Sequence, residues 1–271
     1  MGNKEIPIES ILLEDFNDNG VFRLTLNDSK RRNALSEEMM AALTLSLNHA
    51  SKDDKVRVII VAANGPVFCS GHDLKKMSAG RSADDNGLEY FTKVFSSCSA
   101  LMQLIINHPK PVIAEVAGVA AAAGCQLVAC CDLAIGGESS RYITPGVNIG
   151  LFCSTPMVAL SRNISNKAAM EMLLTGEMVE ANKAERIGLI NRVVNDKNVT
   201  ISTMELAVVI ASKSSITLKT GKQAFYKQKD MSISDAYDYA SKVMVDNMLT
   251  LDAKEGIDAF LEKRQPKWHD E

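Results

Sequence analysis

The sequence predicts an α/β fold followed by a helical C-terminal region. Short β-branched runs at 56–62 and Val112–Val116 read as buried strands. Segments between them place apolar residues at helical spacing, and beyond about residue 155 helical patterns dominate. At 271 residues the chain is long enough for one or two domains and for a core that needs no covalent staple.

Taken in order, residues 8–14 and Val21–Leu26 read as two strands joined by Asn17-Asp18-Asn19-Gly20, a strong hairpin turn signal. Ser36 followed by Glu37 and Glu38 opens a helix whose apolar positions are 39, 40, 43 and 47. Residues 56–62 form a strand that Asn64-Gly65-Pro66 ends, and Asp73 starts a helix. A longer amphipathic helix covers 88–107 until His108-Pro109-Lys110-Pro111 forbids it. The strand Val112–Val116 leads through a Gly/Ala run at 118–124 into a helix ending at Cys131, and 132–136 reads as a strand. Helices are expected at 156–162, 167–175, 181–187 and 201–211, with two more before Trp268. Ser154 or Thr155 reads as the N-cap of the first of these, with Pro156 in its opening turn.

Composition excludes several classes. With 30 Lys+Arg against 33 Asp+Glu the net charge is −3, and the longest basic block is Lys30-Arg31-Arg32, so no nucleic-acid groove is expected. The six cysteines (69, 98, 125, 130, 131, 153) form no C-x-x-C pair and read as reduced core thiols, not as a metal or disulfide framework. The four histidines are far apart, and no metal is expected. Residues 1–6 lack an apolar signal core, and Glu115, Gln126 and Asp132 interrupt the most apolar stretch. The expectation is a soluble cytoplasmic protein with no membrane or nucleic-acid partner.

Two segments share one design, a strand end, small residues and a helix start: 67–74, Val-Phe-Cys-Ser-Gly-His-Asp-Leu, and 116–126, which carries Gly118, five alanines and Gly124. Helix N-termini present free N–H groups and partial positive charge, so two such segments can aim amides at one oxyanion. Small residues that merely let a helix pack closely on a strand explain the same pattern. No Lys-Ser/Thr follows Gly124, which removes a P-loop, and no Gly-x-Ser-x-Gly elbow exists.

These segments, together with Asn33-Ala34-Leu35-Ser36, Pro111-Val112-Ile113-Ala114, Leu173-Leu174-Thr175-Gly176, Leu189-Ile190 and Phe260-Leu261-Glu262-Lys263-Arg264, occur in an order and spacing that resembles the crotonase (enoyl-CoA hydratase/isomerase) superfamily. Ala123-Gly124-Cys125-Gln126-Leu127 and Thr144-Pro145-Gly146-Val147-Asn148 resemble one branch of it in particular. The resemblance implies a crotonase-like ββα spiral core over residues 1–200 and a helical trimerisation region over 201–271. It implies a homotrimer or dimer of trimers, and a lyase or isomerase of fatty acid metabolism acting on an acyl-CoA thioester. No cofactor is expected to be permanently bound, with coenzyme A entering as part of the substrate. By position, the oxyanion-hole amides fall on His72 and Ala123. Lys30, Arg32 and Lys75 fall where the family meets CoA phosphates, and Ser70, Gly71, Asp73, Leu74 and Gly124 complete the ligand-binding segments.

The same resemblance exposes departures. The two glutamates with which family hydratases deliver water fall here on Gln126 and, by ungapped counting, on Gly146. Neither can do acid–base work near neutral pH, so ordinary hydration is expected to be weak. Glu115 and Glu138 lie nearby in sequence but not at the family position. Gly71-His72-Asp73 resembles a segment of family decarboxylases, in which His72 would act as a donor. The tyrosine those enzymes place after the following loop is missing, because Phe152-Cys153 stands there. A decarboxylase-like enzyme and a non-catalytic acyl-CoA-binding or scaffolding protein are the alternatives.

Overall fold

The computed structural model describes residues 10–270. The first residues of the strand expected at 8–14, and residues 1–6, lie outside them. A hairpin opens the chain: β1 (Leu12–Phe16) pairs antiparallel with β2 (Val21–Leu26) through the Asn17–Gly20 turn, where the Asn17 side chain accepts from the Asn19 and Val21 amides. Helix α1 (Glu37–Lys52) follows, capped by Ser36, whose hydroxyl accepts from the Met39 amide.

The chain then alternates between two sheets. Strand β3 (Val58–Ala63) lies in a large sheet and β4 (Val67–Cys69) in a small one, before helices α2 (Leu74–Gly80) and α3 (Leu88–Ile106). The same step recurs with β5 (Val112–Val116), β6 (Val119–Ala121) and α4 (Ala123–Cys130), and again with β7 (Leu133–Gly137) and β8 (Arg141–Ile143). Repeating strand, strand, helix turns wind the expected spiral. The large sheet has the order β1-β2-β3-β5-β7-β10, parallel from β2 onward, where β10 is Arg192–Val194. The small sheet has the order β4-β6-β8-β9, where β9 is Val179–Glu180. The three-residue strands carry too little periodicity to stand out in the sequence, and of them only part of the run around β6 was visible, as a Gly/Ala stretch.

Helix α5 (Ser154–Asn163) packs on α4, α6 (Asn166–Thr175) on α5 and the Pro145–Ile149 turn, and α7 (Ala181–Arg186) on β8 and β9, while α8 (Val199–Ala211) packs on the far face of the large sheet. Strand β3 shows why its sequence is continuously apolar. Ile59 and Val61 enter the main core, while Val58, Ile60 and Ala62 pack under Ala207 and Ala211 of α8. Three helices, not the expected two, complete the chain: α9 (Ser215–Gln228), α10 (Ile233–Met248) and α11 (Leu251–Leu261). The extra boundary is a serine cap: Ser232 accepts from the Asp235 amide and starts α10 afresh.

Helix α9 is clamped to the core. The Lys222 ammonium donates to the Asp132 carboxylate at 2.7 Å and to the Ile105 and Lys110 carbonyls at 3.0 and 3.2 Å, and the Tyr226 hydroxyl reaches Asp132 at 3.0 Å. Among the described residues no single helix is long and apolar enough to cross a membrane. No group of three or more His, Cys, Asp or Glu among them is arranged to hold a metal.

Candidate active site

The two small-residue segments meet. Parallel pairing of β4 with β6 sets Val67 beside Val119 and Cys69 beside Ala120, so both strands end side by side and release α2 and α4 from one place. Gly71 sits at φ +87°, and a Cβ there would lie 2.9 Å from the Ala122 Cβ and 3.2 Å from the Ala123 nitrogen. Gly124 meets the Cys69 carbonyl even more closely, at 2.2 Å from an added Cβ. Close packing and amide presentation are thus two consequences of one arrangement. Among the described residues the backbone N–H groups of His72 and Ala123 have no hydrogen-bond acceptor.

Ala122 adopts φ 50°, ψ −116°, a conformation that an L-residue enters only under strain. It is held there from both sides: its amide donates to the Ile143 carbonyl at 2.9 Å, and its carbonyl accepts from the Gln126 amide at 3.0 Å. The strained residue aims the first peptide of α4 back toward Gly71. Asp73 caps α2, its carboxylate accepting from the Lys75 and Lys76 amides. Its contribution is therefore to start the helix.

The segment 28–36 closes one side. Asn33 is fully buried, with its side chain donating to the Asn64 and Val67 carbonyls and accepting from the Asp28 amide. The Ser70 amide donates to the Arg32 carbonyl, and the Leu35 amide to the Gly71 carbonyl. Lys30, Arg32, Leu74 and Lys75 are all exposed. Arg31 is occupied by Asp28 at 2.6 Å.

His72 is tucked inward. Its Nδ1 lies 3.3 Å from the Leu35 carbonyl, which can only accept, so Nδ1 carries the proton of the neutral ring. Its buried Nε2 has no partner, and Phe95 of α3 meets the ring edge-on at 5.4 Å between centroids. Burial holds the imidazole below its usual pKa, with the Leu35 carbonyl opposing. The neutral tautomer presents Nε2 as an acceptor, which argues against the donor role expected for this residue.

Gln126 lies one turn into α4, 4 % exposed, its Oε1 buried and unpartnered. It forms part of the wall of a cavity of ≈ 1140 Å³ between α3, α4, α5 and the α9–α10 pair. Gly146 sits in a 3-10 turn, Pro145–Ile149, against Leu151 and Cys153 rather than on α4. Glu115 is spent elsewhere, bonded to Arg23 and Thr200 beneath α8, and Glu138 accepts from Asn195. Ser154 is the first residue of α5 and its N-cap is Cys153, with no side-chain cap. The helix thus starts before the expected Pro156, Thr155 turns into the cavity wall, and Ser154 bonds the Phe152 carbonyl. Burial pushes the Cys69 and Cys125 thiols up to about 12, and raises Cys153 as well, so none is a ready thiolate.

Sequence reasoning placed Thr155 near the pocket but missed Phe95, the cavity residues of α3 and α9, and the rest of those on α5. The amphipathic spacing of α3 was a signal that it buries a face, but nothing local said which face meets His72.

Two strands that end side by side and release helices at one place, next to an open cavity, lie on a two-sheet spiral. The family model described as enoyl-CoA hydratase/isomerase matches residues 17–271, and the chain belongs to that family. Enoyl-CoA hydratase domain-containing protein 3, mitochondrial, of Mus musculus is 47 % identical over 249 residues, spanning 92 % of this chain and 81 % of the relative. A crystal structure of the human protein 3 has a TM-score of 0.90 at 45 % identity, covering 96 % of this chain and all of that one. A Mycobacterium smegmatis enoyl-CoA hydratase structure has a TM-score of 0.92 at 47 % identity, with 96 % and 100 % coverage. These relatives agree with the branch to which Ala123–Leu127 and Thr144–Asn148 pointed. They overturn the expected cytoplasmic location: the mouse, rat, human, frog and zebrafish relatives are all named mitochondrial. An N-terminal reading of residues 1–6 carried no information on that point.

Proposed function

We propose that this chain binds an acyl-CoA thioester and polarises its carbonyl between the backbone amides of His72 and Ala123, and that its turnover as an ordinary enoyl-CoA hydratase is weak. The observation that carries this is the contact of Gly71 with Ala122 and Ala123, which sets two acceptor-free amides at adjacent strand ends. An enolate oxygen at that point gains stabilisation that a ground-state carbonyl does not, worth about 3–4 kcal/mol for one such donor. The exposed Lys30, Arg32 and Lys75 suit the CoA phosphates, with Ser70 and Leu74 along the approach and Gly124 buried behind them against Cys69.

Weak hydration follows from the acid–base inventory. Gln126 offers an amide where a hydratase has a carboxylate, Gly146 offers no side chain, and Glu115 and Glu138 are bonded away from the cavity. Two readings compete. A decarboxylase-like step needs the oxyanion hole and no base, which suits this inventory, although the Nδ1-protonated His72 would not donate to the departing carboxylate. A non-catalytic acyl-CoA-binding protein would keep the hole and the cavity and do no chemistry.

The C-terminal helices support assembly. Ile233, Tyr237, Leu249, Phe260 and Leu261 are each at least 72 % exposed in the single chain, an apolar surface suited to a homotrimer or a dimer of trimers built through residues 201–271.

The test incubates purified protein with enoyl-, saturated and malonyl-type CoA thioesters and reads product masses. Water gained by the enoyl thioester at ordinary enzymatic rates refutes the weak-hydratase reading. Loss of carbon dioxide selects the decarboxylase-like reading. Thioesters that bind and return unchanged select the binding protein, and thioesters that do not bind end the proposal.

A further inference from the structure

The cavity behind Gln126 has the wrong chemistry for a plain fatty acyl chain. Fourteen of its twenty wall residues carry polar side chains, among them Gln103 and Asn107 from α3 and Gln223 and Tyr226 from α9. An alkyl chain gains its affinity from apolar walls, and every wall polar group it covers loses water without a replacement partner. The buried Gln126 Oε1, already without a partner, would remain so beside a methylene chain.

The cavity also has a direction. Helices α3 and α4 run side by side from the amide pair into it: Phe95 touches His72 and Ser99 one turn later is in the wall, while Ala123 begins α4 and Gln126 and Ala129 follow in the wall. From Ala123 to Ala129 is roughly 9 Å at the α-helical rise. There the charge changes. Asn163 donates to the Ala129 carbonyl at 2.8 Å, Arg162 is its neighbour, and the Lys229 ammonium donates to the Arg162 carbonyl at 3.0 Å. The Lys227 ammonium lies 4.8 Å over the Tyr239 ring in the same wall. Arg162, Lys227 and Lys229 have no carboxylate within salt-bridge distance among the described residues, and Asp230 is the one acidic residue in the wall. The far end of the cavity is therefore cationic.

Resting on the acyl-CoA reading above, we infer that the acyl group this protein takes ends in an anion: a short dicarboxylic acid joined to CoA through one carboxyl. Its thioester carbonyl sits at the His72 and Ala123 amides, and its free carboxylate reaches Arg162, Lys227 and Lys229. Gln126 accepts a hydrogen bond from a polar substituent or a water on the chain between them. No bond is made or broken in this assignment, which concerns recognition only.

Calorimetric titration of the full chain with adipoyl-CoA, hexanoyl-CoA and free CoA tests it. Adipoyl-CoA and hexanoyl-CoA have the same chain length and differ at the far end. The expected result is adipoyl-CoA binding about tenfold tighter than hexanoyl-CoA, a difference of about 1.4 kcal/mol. That preference should shrink as salt is raised, because the cations are exposed. In the triple variant Arg162→Gln/Lys227→Gln/Lys229→Gln, adipoyl-CoA should fall to the affinity of hexanoyl-CoA. Equal affinities in the unmodified protein, or tighter hexanoyl-CoA, overturn the inference and leave acyl-CoA binding standing. Neither thioester binding better than free CoA overturns the acyl-CoA reading itself.

Discussion

Gln126→Glu and Gly146→Glu put carboxylates at the two positions where the resemblance places the hydratase glutamates, but the two positions are physically unlike. At Gly146 even a Cβ would lie 2.8 Å from the Leu151 carbonyl and 2.9 Å from the Cys153 sulfur, and both neighbours belong to the turn that leads into α5. Forcing a side chain there costs about 1–3 kcal/mol as overpacking, before the carboxylate itself is buried. Gln126→Glu is nearly isosteric, on a helix, in a cavity wall, and replaces an amide oxygen that has no partner. The surrounding burial would raise the new carboxyl's pKa toward neutrality, which suits a general acid or base. One positioned group of that kind is worth roughly 10²–10⁴-fold. Crotonyl-CoA hydration, followed by loss of the enoyl thioester absorbance and confirmed by mass, should therefore rise at least about tenfold in Gln126→Glu. In Gly146→Glu it should stay at the parent level, with a lowered urea midpoint. A parent protein that already hydrates crotonyl-CoA at ordinary rates, or a Gly146→Glu protein as stable as the parent, would refute this reasoning.

Three further outcomes follow from the same structure. Ala122→Gly removes the strain of φ 50°, ψ −116° and should raise stability by about 1 kcal/mol in urea unfolding; a loss of stability would mean that the backbone there is relaxed. Lys222→Met leaves Asp132 charged and half of its clamp empty, so it should cost about 3–5 kcal/mol, read as a fall in the urea midpoint, and a change under about 1 kcal/mol would show that the clamp is incidental. His72 and His108 are both held neutral by burial, the latter accepting at Nδ1 from the Lys110 amide and donating from Nε2 to the Leu47 carbonyl. Their unfolded forms take up protons near pH 6.5 and the native forms only at lower pH, so the unfolded state binds more protons there and stability falls as pH drops through that region. The slope is at most about 1.4 kcal/mol per pH unit for each imidazole, and His108→Gln should flatten it.

What the sequence made legible is what short-range chemistry determines. The hairpin was readable because Asn17 and Gly20 belong in its turn, α1 because Ser36 caps it, and the two amide segments because small residues follow strand patterns. The strands of the small sheet were not readable: β4, β6 and β8 have three residues each, and their pairing is settled only when the large sheet brings their ends together. The tautomer of His72 was equally hidden, since it depends on a carbonyl 37 residues away in the sequence. The cavity is the extreme case. Its wall joins α3, α4 and α5 to α9 and α10, and α9 covers it because Lys222 and Tyr226 grip Asp132 some ninety residues earlier. A carboxylate read in isolation at Asp132 looks like a strand-start residue. In the fold it holds Lys222 and Tyr226, and so fixes which helix covers the cavity and which side chains form its wall. The composition of the cavity wall is thus settled by contacts between the C-terminal helices and the spiral, whereas the local motifs locate only the paired strand ends at Gly71 and Ala122.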